Sequence, residues 1–311
     1  MLDIIGKKWL YFLLSGLVIV PGIVSLFLWG IRPSIEFTGG TLIEYRISPH
    51  QDSEKTNTQK QLSVDEVKKT VEAQSIEMGS IQNTSQNTYL FRLKPIDETQ
   101  HQKIVQALNE KYGDVKEIRF ETVGPTIGAE TTKNAAKSVF VASVAIVIYI
   151  AWAFRKIPSS YSSFKFGICA VVALIHDVLL VIGIFSLLGH FYHVEVDNLF
   201  ITSLLTIMGF SVHDTIVVFD RIRENLNKMM NAPFSQVVNE SILQTLARSL
   251  STSLTVIMTL TALLLFGGES IRWFIVALLV GIISGTYSSI FNASPLLVVW
   301  EEWGKRKTTK N

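Results

Sequence analysis

Cysteine is all but missing from this chain. The one present, Cys169, lies inside an apolar run, so no disulfide within the chain can staple any part of it. There is no Cys/His spacing suited to a metal, no Walker loop and no Gly-x-Gly-x-x-Gly. No metal, nucleotide or other cofactor is therefore expected, and no catalytic residues. Charge is scarce as well: Asp, Glu, Lys and Arg make up 17% of the 311 residues, against 48% hydrophobic. The net charge of +2, with basic residues not gathered into one patch, argues against a nucleic-acid partner. Mean hydropathy is +0.35, and runs this apolar need a lipid bilayer around them. Function must then come from the membrane part.

Crossing about 30 Å of hydrocarbon takes roughly 20 mostly apolar residues. Six runs qualify: about 9–30, 135–154, 166–188, 198–219, 249–266 and 273–300. The first, kinkable at Pro21-Gly22, follows Lys7-Lys8 as a signal peptide would. It is too long for a signal core and lacks a small-x-small cleavage site, so it reads as an uncleaved span.

Basic residues cluster at Lys7-Lys8, at Arg155, Lys156 and Lys165, at Arg221, Arg223 and Lys228, and at Lys305-Arg306-Lys307. The stretch 189–197 has neither Lys nor Arg. Short cytoplasmic loops carry the excess of positive charge. Both termini are therefore expected in the cytoplasm of a bacterial inner membrane, with Arg272 a small exception. Residues 1–30 then form the N-terminus and first span, 31–133 an exported domain, 134–300 spans two to six, and 301–311 a basic tail.

The exported segment reads as α+β. Thr41, Ile43, Tyr45 and Ile47 alternate with polar neighbours, which is strand spacing. His50 to Gln61 is a polar loop. Ser63-x-x-Glu66 is a capping box opening a helix with Val64, Val67 and Val71 on one face. Strands follow near 76–81 and 89–93. Asp97-x-x-Gln100 opens a second helix that stops at Gly113, and a last strand covers 115–123. The order βαββαβ is that of a ferredoxin-like split fold.

Ionisable groups at membrane depth are costly and ask for a reason. Asp214 stands six residues before Asp220 in span four, about 9 Å below the cytoplasmic surface at 1.5 Å per residue. It is either a helix-end carboxylate reaching water or a group in a protein-lined, wet site. Asp177, beside His176, lies about 18 Å along span three from Lys165, as a polar bridge between helices or a proton relay. Arg248 opens span five, as an anchor to the cytoplasmic surface or as a cation facing Asp214. Gly281-x-x-x-Gly285 is a packing motif that lets spans approach, and it and the Ser/Thr-rich fifth span offer surfaces to another bundle.

Several stretches together resemble the SecF family, within the resistance–nodulation–division superfamily. They include Phe37-Thr-Gly-Gly40, Val123-Gly-Pro-Thr-Ile-Gly128, with Gly124-Pro125 at its centre, and His176-Asp177-Val178. Gly209 through Asn225, Gln244 to Ser249, Phe266-Gly-Gly-Glu269 and Gly285 to Pro295 continue the match, nearly end to end. The resemblance implies Gly39, Gly40 and their neighbours as structural motifs. It also implies a partner, SecD, and a complex beside the SecYEG channel that uses a proton or sodium gradient to draw a preprotein across. The family's functional acid falls on Asp214 and its functional arginine on Arg248. His213 replaces a frequent Asn, either as a second titratable group or as a hydrogen-bonding substitute.

Three rival functions fit the sequence less well. An intramembrane aspartyl protease needs two carboxylates at close range, but the estimated depths of Asp177 and Asp214 differ and the Gly-x-Gly-Asp and Tyr-Asp signatures are absent. A proton-coupled small-molecule exporter of the same superfamily would carry two six-span halves. A passive anchor would not need buried charge.

Overall fold

A computed structural model describes residues 3–49, 63–74, 76, 78–85, 87–156 and 161–308. The loop expected at His50 to Gln61 lies outside these residues, as does the end of the basic tail.

Helix α1 (Lys8–Trp29) leads through a short turn, α2 (Ile35–Thr38), into strand β1 (Gly40–Pro49). Then come α3 (Val64–Glu72), β2 (Met78–Ser85), β3 (Thr88–Leu93), α4 (Glu98–Tyr112) and β4 (Gly113–Val123). Long helices follow: α5 (Pro125–Ala153), α6 (Ser163–Tyr192), α7 (Asn198–Lys228) and α8 (Phe234–Phe266). Helices α9 (Arg272–Ser288) and α10 (Ser294–Thr308) are joined by the π-helical residues Ser289–Ala293. The chain divides into a helical unit, Met1–Arg32 with Ala136–Asn311, and an α/β unit, Pro33–Ala135.

Among the described residues, six helical stretches are long and apolar enough to cross a membrane, as the hydropathy runs predict. The helices are longer than those runs. The amphipathic residues after Pro233 and the fifth span form one helix, α8. No Gly or Pro interrupts it, and some of its hydroxyls bond back to their own helix: Ser241 donates to Val237 O at 2.7 Å and Thr245 to Ser241 O at 3.0 Å.

Small residues set the helix contacts. A Cβ at Gly183 would stand 2.7 Å from Gly22 Cα, so α1 and α6 touch backbone to backbone. A Cβ at Gly281 would meet Ile207 at 2.3 Å, and one at Gly285 would meet Ser211 at 3.1 Å. The Gly281-x-x-x-Gly285 face is thus used within this bundle, against α7. The expectation that it faces another bundle is corrected.

In the α/β unit the sheet order is β2-β3-β1-β4, every neighbouring pair antiparallel. Alternate residues of β1 (Ile43, Tyr45, Ile47) and β3 (Tyr89, Phe91) are fully buried against Val67 and Val71 of α3 and Ile104 and Leu108 of α4. Asp97 and Gln100 form the expected capping box. Ser63 does not: its hydroxyl makes no capping bond, and α3 is opened by backbone bonds from Glu66 N and Val67 N to Ser63 O, each 3.1 Å.

The two glycine motifs meet. Gly39 has φ +71°, and a Cβ there would lie 3.0 Å from Pro125 Cα. A Cβ at Gly128 would come within 2.7 Å of Gly39 N and 2.9 Å of Phe37 O. Thr132 Oγ1 donates to Phe37 O at 3.2 Å. Gly40, φ +135°, opens β1 beside Leu93 O. Gly124 ends the sheet and Pro125 takes the first helical position, where its missing N–H costs nothing.

Candidate functional site

Asp177, midway along α6, is wholly buried (0% exposed). Three serines donate to its carboxylate: Ser211 and Ser288 to Oδ2, each at 2.6 Å, and Ser284 to Oδ1 at 2.7 Å. Ser284 and Ser288 are one turn apart on α9, so one face of that helix supplies both donors. Ser211 comes from α7. His176 Nδ1 stands 3.0 Å from Oδ1. Its Nε2 contacts Ser15 Oγ of α1, and Asn292 of the π-helical segment donates its amide to Ser15 Oγ at 2.7 Å. One buried carboxylate and its neighbour thereby fasten α1, α6, α7, α9 and the π segment.

Asp214 is on α7, three residues beyond Ser211 and about 5 Å further along the axis. It is 5% exposed. Ser249 of α8 donates to its Oδ1 at 2.8 Å, and Oδ2 has no partner. The two acids are therefore nearer in depth than the loop-counting estimate. No hydrogen bond joins them among the described residues, and each carboxylate has its own hydroxyl donors.

Arg248 does not pair with Asp214; it is exposed and makes no ion pair within 4 Å among the described residues. The reason is helical geometry. Consecutive residues are about 100° apart around the axis, so a helix that aims Ser249 at Asp214 turns Arg248 away. His213 is likewise exposed, one residue before Asp214 and so about 100° around α7 from it.

These two positions belong to longer polar stripes. On α7, Thr202, Thr206, Gly209 and His213 are all exposed; on α8, Arg248, Thr252, Thr255 and Thr259 are. Both sets follow the spacing i, i+4, i+7, i+11, which is one side of a helix. The residues that sequence reading missed are Ser15, Ser211, Ser284, Ser288 and Asn292. Ser249 was visible only as one of a helix-packing set. Serines four apart beside Gly281 and Gly285 in an otherwise apolar helix were the available signal.

Residues 103–303, which hold both acids and Arg248, match the family described as protein export membrane protein SecD/SecF, C-terminal. The chain belongs to this SecD/SecF family. The SecF translocase subunit of Thermobaculum terrenum is 45% identical over 97% of this chain and 94% of its own. SecF of Anaerolinea thermophila is 43% identical, again over 97% of this chain and over 96% of its own length. The crystal structure of SecDF from Thermus thermophilus, described as a translocon-associated membrane protein, superposes with a TM-score of 0.80 at 33% identity. That superposition covers 97% of this chain but 39% of the SecDF chain. Bacillus subtilis SecDF is matched in the same way, at 32% identity over 96% of this chain and 38% of its own. The SecF-family unit thus corresponds to about two fifths of the fused proteins. It is a multi-pass membrane protein by its six apolar helices and its family.

Proposed function

We propose that this chain is the SecF subunit of a SecD–SecF complex that assists Sec-dependent protein export, with Asp214 as the group that takes up and releases the coupling ion. The observation that carries this reading is the setting of Asp214. It is a buried acid with one oxygen bonded and one without a partner, on the helix that carries one exposed polar stripe and bonded to the helix that carries the other. Arg248 and His213 would be costly against lipid. A second six-span bundle lying on the α7 and α8 stripes removes that cost. In the fused relatives the rest of the chain is available to supply it, which favours SecD as the partner.

In this reading the bundle sits in a bacterial inner membrane with both termini cytoplasmic, and the α/β unit is exported. Its βαββαβ order and the strand order β2-β3-β1-β4 support a ferredoxin-like domain, working beside SecYEG on an emerging preprotein. The role is mechanical rather than enzymatic. One charge moved through 100 mV is worth about 2.3 kcal/mol, enough to bias a two-state element by more than tenfold. To draw on it, Asp214 must be charged in one state and neutralised in the other, with Arg248 and His213 answering the change from the interface. Asp177 is the second ion-relay group.

The test is completion of preprotein export in vesicles holding this chain, SecD and SecYEG, with and without an imposed proton or sodium gradient. Asp214→Asn keeps size and removes the switch, so the gradient-dependent increment should vanish while the complex still assembles. Arg248→Lys keeps charge but loses the planar fork, and a partial defect is expected. An intact increment in Asp214→Asn would make the acid a structural group and end this mechanism.

A further inference from the structure

We propose that a cavity between α1, α6 and the π-helical segment is a water port that exchanges protons with Asp177 through His176. The cavity has a volume of about 190 Å³, room for several waters at about 30 Å³ each. Its walls are almost wholly apolar, Phe12, Val172 and Leu296 among them, and Ser15, His176 and Asn292 are the polar residues along it. Among the described residues no other titratable side chain lines it.

The hydrogen bonds fix the direction in which a proton can travel. The Asn292 amide nitrogen lies 2.7 Å from Ser15 Oγ and 3.3 Å from His176 Nε2. An amide nitrogen has no lone pair to give, so Nε2 is the acceptor on that side. The imidazole proton is then on Nδ1, donated to Asp177 Oδ1 at 3.0 Å. Ser15 donates its hydroxyl to Nε2. One buried atom is left over: Asn292 Oδ1 has no partner, in a residue 8% exposed. A buried carbonyl oxygen requires a donor, and an acyl chain has none. Water does, and the remaining lone pair of Ser15 Oγ together with Asn292 Oδ1 gives it two polar partners. Asn292 is presented by a π-helical turn, a distortion found often at functional sites.

The transfer balances. A hydronium in the cavity gives a proton to Ser15 Oγ and becomes water, Ser15 passes its own hydroxyl proton to Nε2, and the Nδ1 proton passes to Asp177. The ring is left neutral in its other tautomer, and the reverse sequence returns the proton and restores it. Ser15 carries the proton between the water and the ring, and Asn292 is a positioning residue that holds Ser15 in line. This inference rests on the ion-coupled reading of the bundle, but the experiment below reports hydration alone and fails independently of the export assay.

The full chain, with Cys169→Ser, is reconstituted in lipid vesicles carrying Ala173→Cys in the cavity or Ile148→Cys, whose native side chain is exposed on α5. A charged methanethiosulfonate is added to both faces. Ala173→Cys should react at least tenfold faster than Ile148→Cys, and adding Phe12→Trp at the cavity wall should slow it by a similar factor. Equal slow rates for both cysteines, with fast labelling of both by a lipid-soluble maleimide, would mean a dry, acyl-filled crevice and overturn the port. Ala293→Cys, also lining the cavity, serves if Ala173→Cys does not fold. Independently, ¹⁵N-histidine spectra of the full chain, with His176→Gln for assignment, should show His176 as the Nδ1–H tautomer. An Nε2–H tautomer would overturn the relay.

Discussion

Ser249 of α8 donates its hydroxyl to Asp214 of α7 at 2.8 Å, and that is the only hydrogen bond the Asp214 carboxylate receives among the described residues. Asp177 receives three serine hydroxyls and faces a histidine. The first acid is held by one hydroxyl from one neighbouring helix; the second is held by groups from several helices. Their variants should therefore differ in kind.

Ser249→Ala removes the donor and leaves neither oxygen of Asp214 partnered. A hydrogen bond to a charged group is worth about 1.5–3 kcal/mol. The gradient-dependent part of export in SecD-containing vesicles should drop roughly tenfold, on the scale of 1.4 kcal/mol per decade. Ser249→Thr keeps the hydroxyl and should restore most of it. Equal activity of the Ala and Thr variants would show that the bond does not matter for coupling.

Asp177→Asn should act first on stability. Its amide group presents donors to serines that now donate, so several buried hydroxyls lose their acceptor. A loss of about 3 kcal/mol is expected, read as a lower midpoint in detergent melts followed by tryptophan fluorescence. Asp214→Asn, with one bond at stake, should move the midpoint far less. In the export assay the order reverses, with the smaller loss of gradient-dependent increment in Asp177→Asn. A melt in which both variants match the parent would remove the fastening role.

The spans, their order and the two acids were legible because a bilayer imposes length and apolarity on each segment separately. The partners of those acids were not. Ser284 and Ser288 reach Asp177 from more than a hundred residues away, and no local pattern encodes such a pairing. Arg248 shows the same limit in another form: its charge marked the place, but the helix phase gives Asp214 the neighbouring serine instead. In the α/β unit Asp97 forms its box and Ser63 does not, though the two motifs look alike in sequence. A cap motif states what a terminus permits; neighbouring backbone decides whether it is used.

Gly183 and Gly22 give a test of backbone contact between α1 and α6. A methyl at Gly183 would lie 2.7 Å from Gly22 Cα and 2.9 Å from its carbonyl carbon. Neither is a side chain that can move aside. Gly183→Ala should force the helices apart, disturb the 2.7 Å bond between Ser25 and Ser186, and cost about 1–3 kcal/mol. Gly16→Ala on α1 is the control, since a Cβ there meets nothing within 4 Å, and it should be neutral or slightly stabilising. Equal melting of the two variants would show that the helices are free to adjust.

The α/β unit, residues 33–135, should fold when made as a soluble fragment. It has its own core, with Ile43, Tyr45, Phe91 and Leu108 fully buried, so cooperative unfolding with mixed α/β circular dichroism is expected. Its acid limb should report Asp97. The backbone N–H of Gln100, aided by the Thr99 hydroxyl, holds this carboxyl below its ordinary value of 3.8. A carboxylate with a depressed folded-state pKa binds protons more weakly in the folded than in the unfolded chain. Its contribution is therefore complete above the unfolded value near 4 and is lost as pH falls through the lower, folded one. Urea midpoints between pH 2 and 6 should drop at the acid end of that range. In Asp97→Asn the side-chain oxygen still caps α4 but does not titrate, so the drop should be shallower. Identical acid limbs for the parent and Asp97→Asn would show that the cap holds no pH-dependent stability, and a non-cooperative urea transition would show that the unit does not fold alone.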